Sequence, residues 1–209
     1  MQIRLSATGK KYQRQWIFRK LDYTFSSGNK YAITGPNGSG KSTLLQVVSG
    51  YLSPNEGLVE MLDDSGKIID AEKKYALISI AAPYLDLIDE FSVDEMLQFH
   101  AQMKTMQPIP FDEMLKHAGL EKEKNKLIKN LSSGNRQRVK LMLAFFTQCP
   151  ILLLDEPCTN LDAAGFATYH HLLATFSDNK LVLISSNQPE EYKTCNELIE
   201  MRNIQVATS

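Results

Sequence analysis

Lys41, Ser42, Asp155 and Glu156 are the residues with which this chain could do chemistry on a phosphate. The first two close the stretch Gly35-Pro36-Asn37-Gly38-Ser39-Gly40-Lys41-Ser42-Thr43, which fits the pattern G-x-x-x-x-G-K-[ST]. Glycine at 35, 38 and 40 lets the backbone take positive φ and turn consecutive N–H groups inward, a nest suited to an anion. A helix opening near Lys41 adds unpaired N–H groups and a partial positive charge. Lys41 can then reach the β- and γ-phosphates, and the Ser42 hydroxyl can serve Mg²⁺. The implied ligand is a nucleoside triphosphate. A glycine-rich turn that matches by chance is the competing reading, and the apolar run before the loop and the helical run after it weigh against it.

The acids end the run Leu152-Leu153-Leu154-Asp155-Glu156-Pro157. A continuous apolar run of this length reads as a strand buried on both faces, which puts both carboxylates at its carboxyl end, where ligands sit in open α/β sheets. Asp155 can hold the Mg²⁺ shell, usually through water, and Glu156 can polarise an attacking water.

The elements that must position these groups follow from periodicity. Residues 1–25 read as short antiparallel strands with a turn at Gly9-Lys10-Lys11, and Lys30 to Thr34 is the strand feeding the phosphate loop. Leu58 to Leu62 and Lys67 to Ile69 read as a hairpin about Asp63-Asp64-Ser65-Gly66, and Tyr75 to Ile80 as a buried strand. Helices follow: one opened by the capping box Ser92-Val93-Asp94-Glu95, one from Phe111 to Leu120 and one from Ser133 to Gln148. Ala163 to Phe176 reads as helix, Lys180 to Ser185 and Leu198 to Met201 as strands. Alternation of this kind predicts an α/β fold, with a mainly parallel sheet flanked by helices and an N-terminal antiparallel part.

At 209 residues, with 43% hydrophobic and 22% charged, the composition is that of an ordinary globular chain of one domain. A net charge of −1 gives no case for nucleic acid as a partner. Three widely spaced cysteines, with no C-x-x-C pair, indicate neither a disulfide framework nor a zinc site and suit a cytoplasmic location. No apolar run approaches the roughly 20 residues that span a bilayer, so a membrane role would come through a partner.

Just upstream of the acidic strand, Leu131-Ser132-Ser133-Gly134-Asn135-Arg136-Gln137-Arg138 resembles the LSGGQ signature, with its following RQR, of the ATP-binding-cassette (ABC) family of P-loop NTPases. Ser132, Gly134 and Arg136-Gln137-Arg138 match; Ser133 and Asn135 depart. Tyr12 lies where the family places an adenine-stacking aromatic, and Thr159-Asn160-Leu161-Asp162 resembles its D-loop. The resemblance implies one ABC domain over 1–209, with a catalytic lobe at about 1–80 and 150–209 and a helical lobe at about 81–149. ATP and Mg²⁺ are the implied cofactors. ATP would bind at Tyr12 and Gly35, Pro36, Asn37, Gly38, Ser39, Gly40, Lys41, Ser42 and Thr43. It would meet Ser132 and Gly134 of an opposing cassette, with Ser42 and Asp155 at the metal and Glu156, Lys41 and Ser186 catalytic. The working unit implied is a head-to-tail dimer, with itself or with another ABC ATPase.

Two polar residues of the family pattern are missing. Aligning Phe91-Ser92-Val93 puts Pro83 where a magnesium-contacting glutamine stands, and aligning Ile184-Ser185-Ser186-Asn187 puts Ser186 where histidine is usual. Intrinsic hydrolysis is therefore expected to be slow. The implied role is the nucleotide-binding subunit of a transporter, on the cytoplasmic face of the membrane, driving a separate transmembrane permease. Segments such as Ser186-Asn187-Gln188-Pro189 are similar to haem-exporter and to generic ABC-transporter subunits alike. The alternatives are a soluble ATP-gated clamp and a weakly catalytic regulatory module.

Overall fold

A computed structural model describes residues 1–206. The expected catalytic lobe thus has its last three positions, 207–209, outside the described residues. Two sheets organise the chain. The smaller is antiparallel, in the order β2-β1-β4, from β1 (Gln2–Tyr12), β2 (Gln15–Ser26) and β4 (Glu56–Leu62). The turn expected at Gly9-Lys10-Lys11 is absent: β1 runs on to Tyr12, with irregularities in its register against β2 between Leu5 and Lys11. Gly9 instead makes room for a side chain. A Cβ there would lie 2.6 Å from Glu56 Oε1, and Arg19 Nε donates to that carboxylate at 3.0 and 3.1 Å.

The larger sheet has the order β5-β6-β7-β3-β8, from β3 (Lys30–Thr34), β5 (Ile78–Ala81), β6 (Ile151–Asp155), β7 (Leu181–Ser185) and β8 (Glu197–Glu200). Its pairings are parallel. Every residue of β6 and β7 is buried, as expected of strands covered on both faces. The carboxyl ends of β3, β6 and β7 therefore point the same way, and the phosphate loop, the acidic pair and Ser186 leave the sheet along one edge.

Three further expectations change. Residues 75–80 are not one strand: α2 (Ala71–Leu77) precedes β5, and Tyr75 is 59% exposed. Strong helix formers and the Asp70–Lys73 ion pair at 3.1 Å favour helix there, and only Ile78–Ala81 enters the sheet. The second hairpin is partial. The Asp63-centred turn forms, with Gly66 N–H donating to Asp63 O at 3.0 Å, but the returning limb makes a single bridge, Leu62 to Ile68. Finally, Met201 opens α8 (Met201–Val206) rather than ending β8.

Apart from α2, which buries no side chain, the longer helices bury an apolar face. In α3 (Val93–Met103) Ser92 and Glu95 form the expected capping box. A single core joins Leu97 of α3, Met114 of α4 (Phe111–Ala118) and Phe145 of α5 (Ser133–Phe146) to Leu152 and Leu154 of β6 and Leu172 of α6 (Ala163–Phe176). Each such side chain contributes about 1.5–3 kcal/mol of burial. The apolar half of α5 therefore ties the segment around α3 and α4 to the parallel sheet, while a second core holds β1, β2 and α1 (Lys41–Ser49) to that sheet's other face.

Candidate nucleotide site

The phosphate loop links β3 to α1. Gly35, Gly38 and Gly40 have φ of 147°, 79° and 97°, the region that only glycine enters freely. Gly40 is the left-handed residue that opens α1, and no side chain caps the helix. A Cβ on Gly40 would lie 2.2 Å from Ile17 Cγ2 of β2, so the cradle has no room for anything larger. Lys41, 5% exposed, donates to Gly35 O at 3.0 Å and Pro36 O at 3.3 Å, and lies 3.7 Å from Glu156 Oε1. Pro36, Asn37 and Gly38 are exposed, Ser39 is buried, and Ser42 and Thr43 are half-buried at the first turn of α1.

Asp155 ends β6, 1% exposed, and its Oδ1 is buried with no hydrogen-bond partner. Leaving such a group unsatisfied costs about 1–3 kcal/mol, so an atom of this kind at the mouth of a phosphate loop suits an incoming ligand. Glu156 takes φ of 45°, a conformation that non-glycine residues hold at a cost of about 1–3 kcal/mol and that clusters at functional sites. Its N–H donates to Ser185 O at 2.8 Å. Burial raises its carboxyl above the usual range; the Lys41 ammonium opposes this and the Asp155 charge adds to it. The glycine cradle and the orphaned Asp155 oxygen fit a magnesium nucleotide.

Ser186 does not sit as expected of a residue facing phosphate. It is fully buried, its N–H donates to Ile33 O at 3.1 Å, and its hydroxyl accepts from Gln188 N–H at 2.9 Å. Asn187 is the side chain that reaches the loop: its Nδ2 donates to Asn37 Oδ1 at 3.1 Å. Strand β7 ends at Ser185, as expected, and the residue that follows it is still buried. The run Asn187-Gln188-Pro189, polar and then helix-opening, marks the exit and was the available signal.

Behind Ser186 lies Glu191, wholly buried, accepting from Cys158 N–H at 3.1 Å. Burial lifts its carboxyl above the ordinary range, the Ser186 hydroxyl and the Cys158 amide partly offset this, and Glu156 and Asp155 add to it. A carboxyl with a raised folded-state pKa contributes stability that is fully present below the unfolded value, about 4.3, and lost as pH rises through the folded value. Glu191→Gln should therefore be more stable than the parent near neutral pH, with the difference shrinking in acid. Denaturant midpoints at the two pH values check this, and a variant equally destabilised at both would contradict it.

Ser132 caps α5, accepting from Asn135 N–H at 3.2 Å, and is exposed. A Cβ on Gly134 would come 2.9 Å from Asn160 O, so the signature and the turn after Glu156 approach backbone to backbone. Gln137 Nε2 donates to Pro157 O at 2.7 Å within the interior, and Arg138 pairs with Asp162 at 3.0 Å. Signature helix and acidic strand are thus fastened together in one chain. Pro83 is exposed, and its carbonyl and that of Ala82 accept from Lys140 of α5 at 3.3 and 3.4 Å, a contact that sequence spacing did not reveal. Tyr12 is exposed at the end of β1 with Lys10 Nζ 5.7 Å from its ring centroid, while Trp16 faces Lys11 and Arg19; Ile17 is the β2 residue that reaches the loop.

A glycine-cradled lysine on the carboxyl edge of a parallel sheet, facing an acidic strand end, defines a P-loop nucleotide-binding fold. Residues 18–159 match the family described as ABC transporter, and the chain belongs to that family. The cytochrome c biogenesis ATP-binding export protein CcmA of Cupriavidus pinatubonensis is 36% identical over 161 residues, 75% of this chain and 70% of that protein. The Nod factor export ATP-binding protein I of Rhizobium johnstonii is 30% identical over 196 residues, 90% of this chain, but the match spans only 62% of that relative's length. A solved structure of a putative ABC transporter ATP-binding protein from Pyrococcus furiosus has a similar fold, with a TM-score of 0.81 over 98% of this chain and all of that one, at 21% identity. Among the described residues no helix is long and apolar enough to cross a membrane.

Proposed function

We propose that this chain is the ATP-binding and ATP-hydrolysing subunit of an ABC transporter, acting on a separate transmembrane permease from the cytoplasmic face. The observation that carries it is the convergence on one edge of the sheet of Lys41, folded into the glycine cradle, with Glu156 3.7 Å away and the buried, unpartnered Asp155 oxygen. In this reading the loop N–H groups and Lys41 hold the β- and γ-phosphates. Ser42 and Asp155 hold Mg²⁺, which supplies positive charge to the phosphate oxygens. Glu156 accepts a proton from water as the water oxygen bonds to the γ-phosphorus and the bond to the bridging oxygen breaks, releasing ADP and phosphate.

Ser132 is exposed and, with the amides opening α5, serves the γ-phosphate of an opposing cassette, in a homodimer or with another ABC ATPase. Hydrolysis removes that shared ligand, and the dimer opens because the two states differ in affinity for it. The segment at about 81–149 forms the helical lobe that meets the permease. Where this lobe adjoins the catalytic one, a groove of about 820 Å³ between the end of α1, β4 and α3 is lined by Leu85 and Lys104 from the first and by Tyr51, Leu58 and Tyr75 from the second. Tyr51 and Leu58 are 67% and 62% exposed, a cluster of apolar surface that marks an interaction site. Intrinsic turnover is slow, because Pro83 and Asn187 offer weaker groups than glutamine and histidine.

Recovery of the tagged native protein from detergent-solubilised membranes tests the reading. A polytopic membrane chain should co-purify in a fixed ratio. Recovery wholly in the membrane-free fraction, bound to nucleic acid or ribosomes, would instead support a clamp.

A further inference from the structure

The peptide unit just beyond Glu156 is gripped at both ends. Its carbonyl, Pro157 O, accepts from Gln137 Nε2 of α5 at 2.7 Å, and its N–H, on Cys158, donates to Glu191 Oε1 of α7 (Pro189–Tyr192) at 3.1 Å. Pro157, Cys158, Gln137 and Glu191 are all buried. The two bonds leave one planar unit in opposite directions, so together they fix its orientation.

The grips are themselves anchored. Glu191 O accepts from the buried Tyr169 hydroxyl at 2.7 Å, and Arg138, next to Gln137, pairs with Asp162 at 3.0 Å. On the other side of Glu156, its own N–H is held by Ser185 O at 2.8 Å. Glu156 stands between these ties at φ of 45°. A conformation of that kind persists only where the surroundings over-determine it. Pro157 has no N–H with which to hold itself, so restraint from the following side falls to the Pro157–Cys158 unit.

We propose that Gln137 and Glu191 are positioning residues for the catalytic carboxylate: by clamping the Pro157–Cys158 peptide from the signature helix and from the helix after β7, they hold Glu156 where it accepts a proton from the attacking water. Both act through the backbone that carries Glu156, not on the nucleotide. Acceptance from Cys158 N–H needs an oxygen lone pair but no charge, and a glutamine amide offers one. The inference rests on the reading of Glu156 as the proton acceptor.

The test is a set of double-mutant cycles on phosphate release at saturating Mg-ATP, with ATP affinity by calorimetry alongside. Gln137→Met and Glu191→Leu each remove one grip at similar volume. Each should lower kcat roughly 10- to 100-fold, the upper figure being that of a displacement of about 1 Å, and leave ATP affinity within about two-fold of the parent. Glu191→Gln keeps the accepting oxygen and should recover kcat to within about three-fold of the parent. In the Glu156→Gln chain, where the base is already gone, Gln137→Met and Glu191→Leu should each change the residual rate by less than about two-fold. The two grips sit on different helices, so one variant that folds is enough to decide. An undiminished kcat, affinity falling in step with kcat, or the same fall in rate with and without Glu156 overturns the proposal. Glu191→Gln as slow as Glu191→Leu overturns the role of Glu191 alone. Glu156→Gln at the parent's own rate overturns the assignment of the base, and this proposal with it.

Discussion

Glu156→Gln should lower ATP hydrolysis by about 10²- to 10⁴-fold, the range expected when a general base is removed, and leave ATP binding nearly intact. The substitution keeps the volume and the backbone of a residue already held at φ of 45°, so the strained turn survives. What it removes is the proton acceptor and the negative charge 3.7 Å from Lys41. With that charge gone, the Lys41 ammonium is freer to serve the phosphates, so affinity should hold or rise. Phosphate release over hours and ATP affinity by calorimetry measure the two halves. The mass of the ATP-bound variant then decides assembly: a self-dimer argues that one kind of chain suffices, and a persistent monomer points to a different ABC partner. Turnover within a few-fold of the parent would remove Glu156 from the catalytic role.

Asn187→His should raise turnover, and Ser186→His should not. Asn187 is exposed and its amide spans to Asn37 of the phosphate loop, so an imidazole at this position would start from the edge of the loop rather than from the interior. A preorganised donor to developing phosphate charge is worth up to roughly 100- to 1,000-fold in rate, which bounds the gain. Ser186 is fully buried between Ile33 and Glu191. A histidine there overpacks the interior, at about 1–3 kcal/mol or more, and should appear as a lowered Tm with no gain in rate. Steady-state kinetics and thermal unfolding of the two variants side by side settle which residue faces the nucleotide. A rate gain from Ser186→His on a stable chain would restore the reading from the alignment.

The divergence at Ser186 shows where motif reading loses resolution. The phosphate loop and the acidic strand end were legible because local chemistry dictates them: glycines that alone enter positive φ, a lysine opening a helix, and an apolar run that only a buried strand accommodates. The capping box at Ser92 and the cap at Ser132 were legible for the same reason, since each is a contact within four residues. Tyr75 reads as strand in the sequence because an apolar residue beside Ile78 and Ile80 satisfies either periodicity. The choice fell to α2, whose charged residues stay at the surface, while only Ile78–Ala81 of β5 pair with β6.

The amino-acid sequence by itself determined that this protein carries a phosphate cradle, an acidic strand end and a capped signature helix, in an order and spacing that resemble one family. Only the tertiary structure decided that the Asn187 side chain meets the loop, that Glu191 is buried behind the acids, and that Lys140 clamps the carbonyls of Ala82 and Pro83. The reason is physical. The first group rests on backbone preferences and hydrogen bonds between near neighbours, which residue types encode directly. The second depends on how deeply parallel strands carry the chain before it turns, and on contacts between segments tens of residues apart, which burial in the assembled core selects.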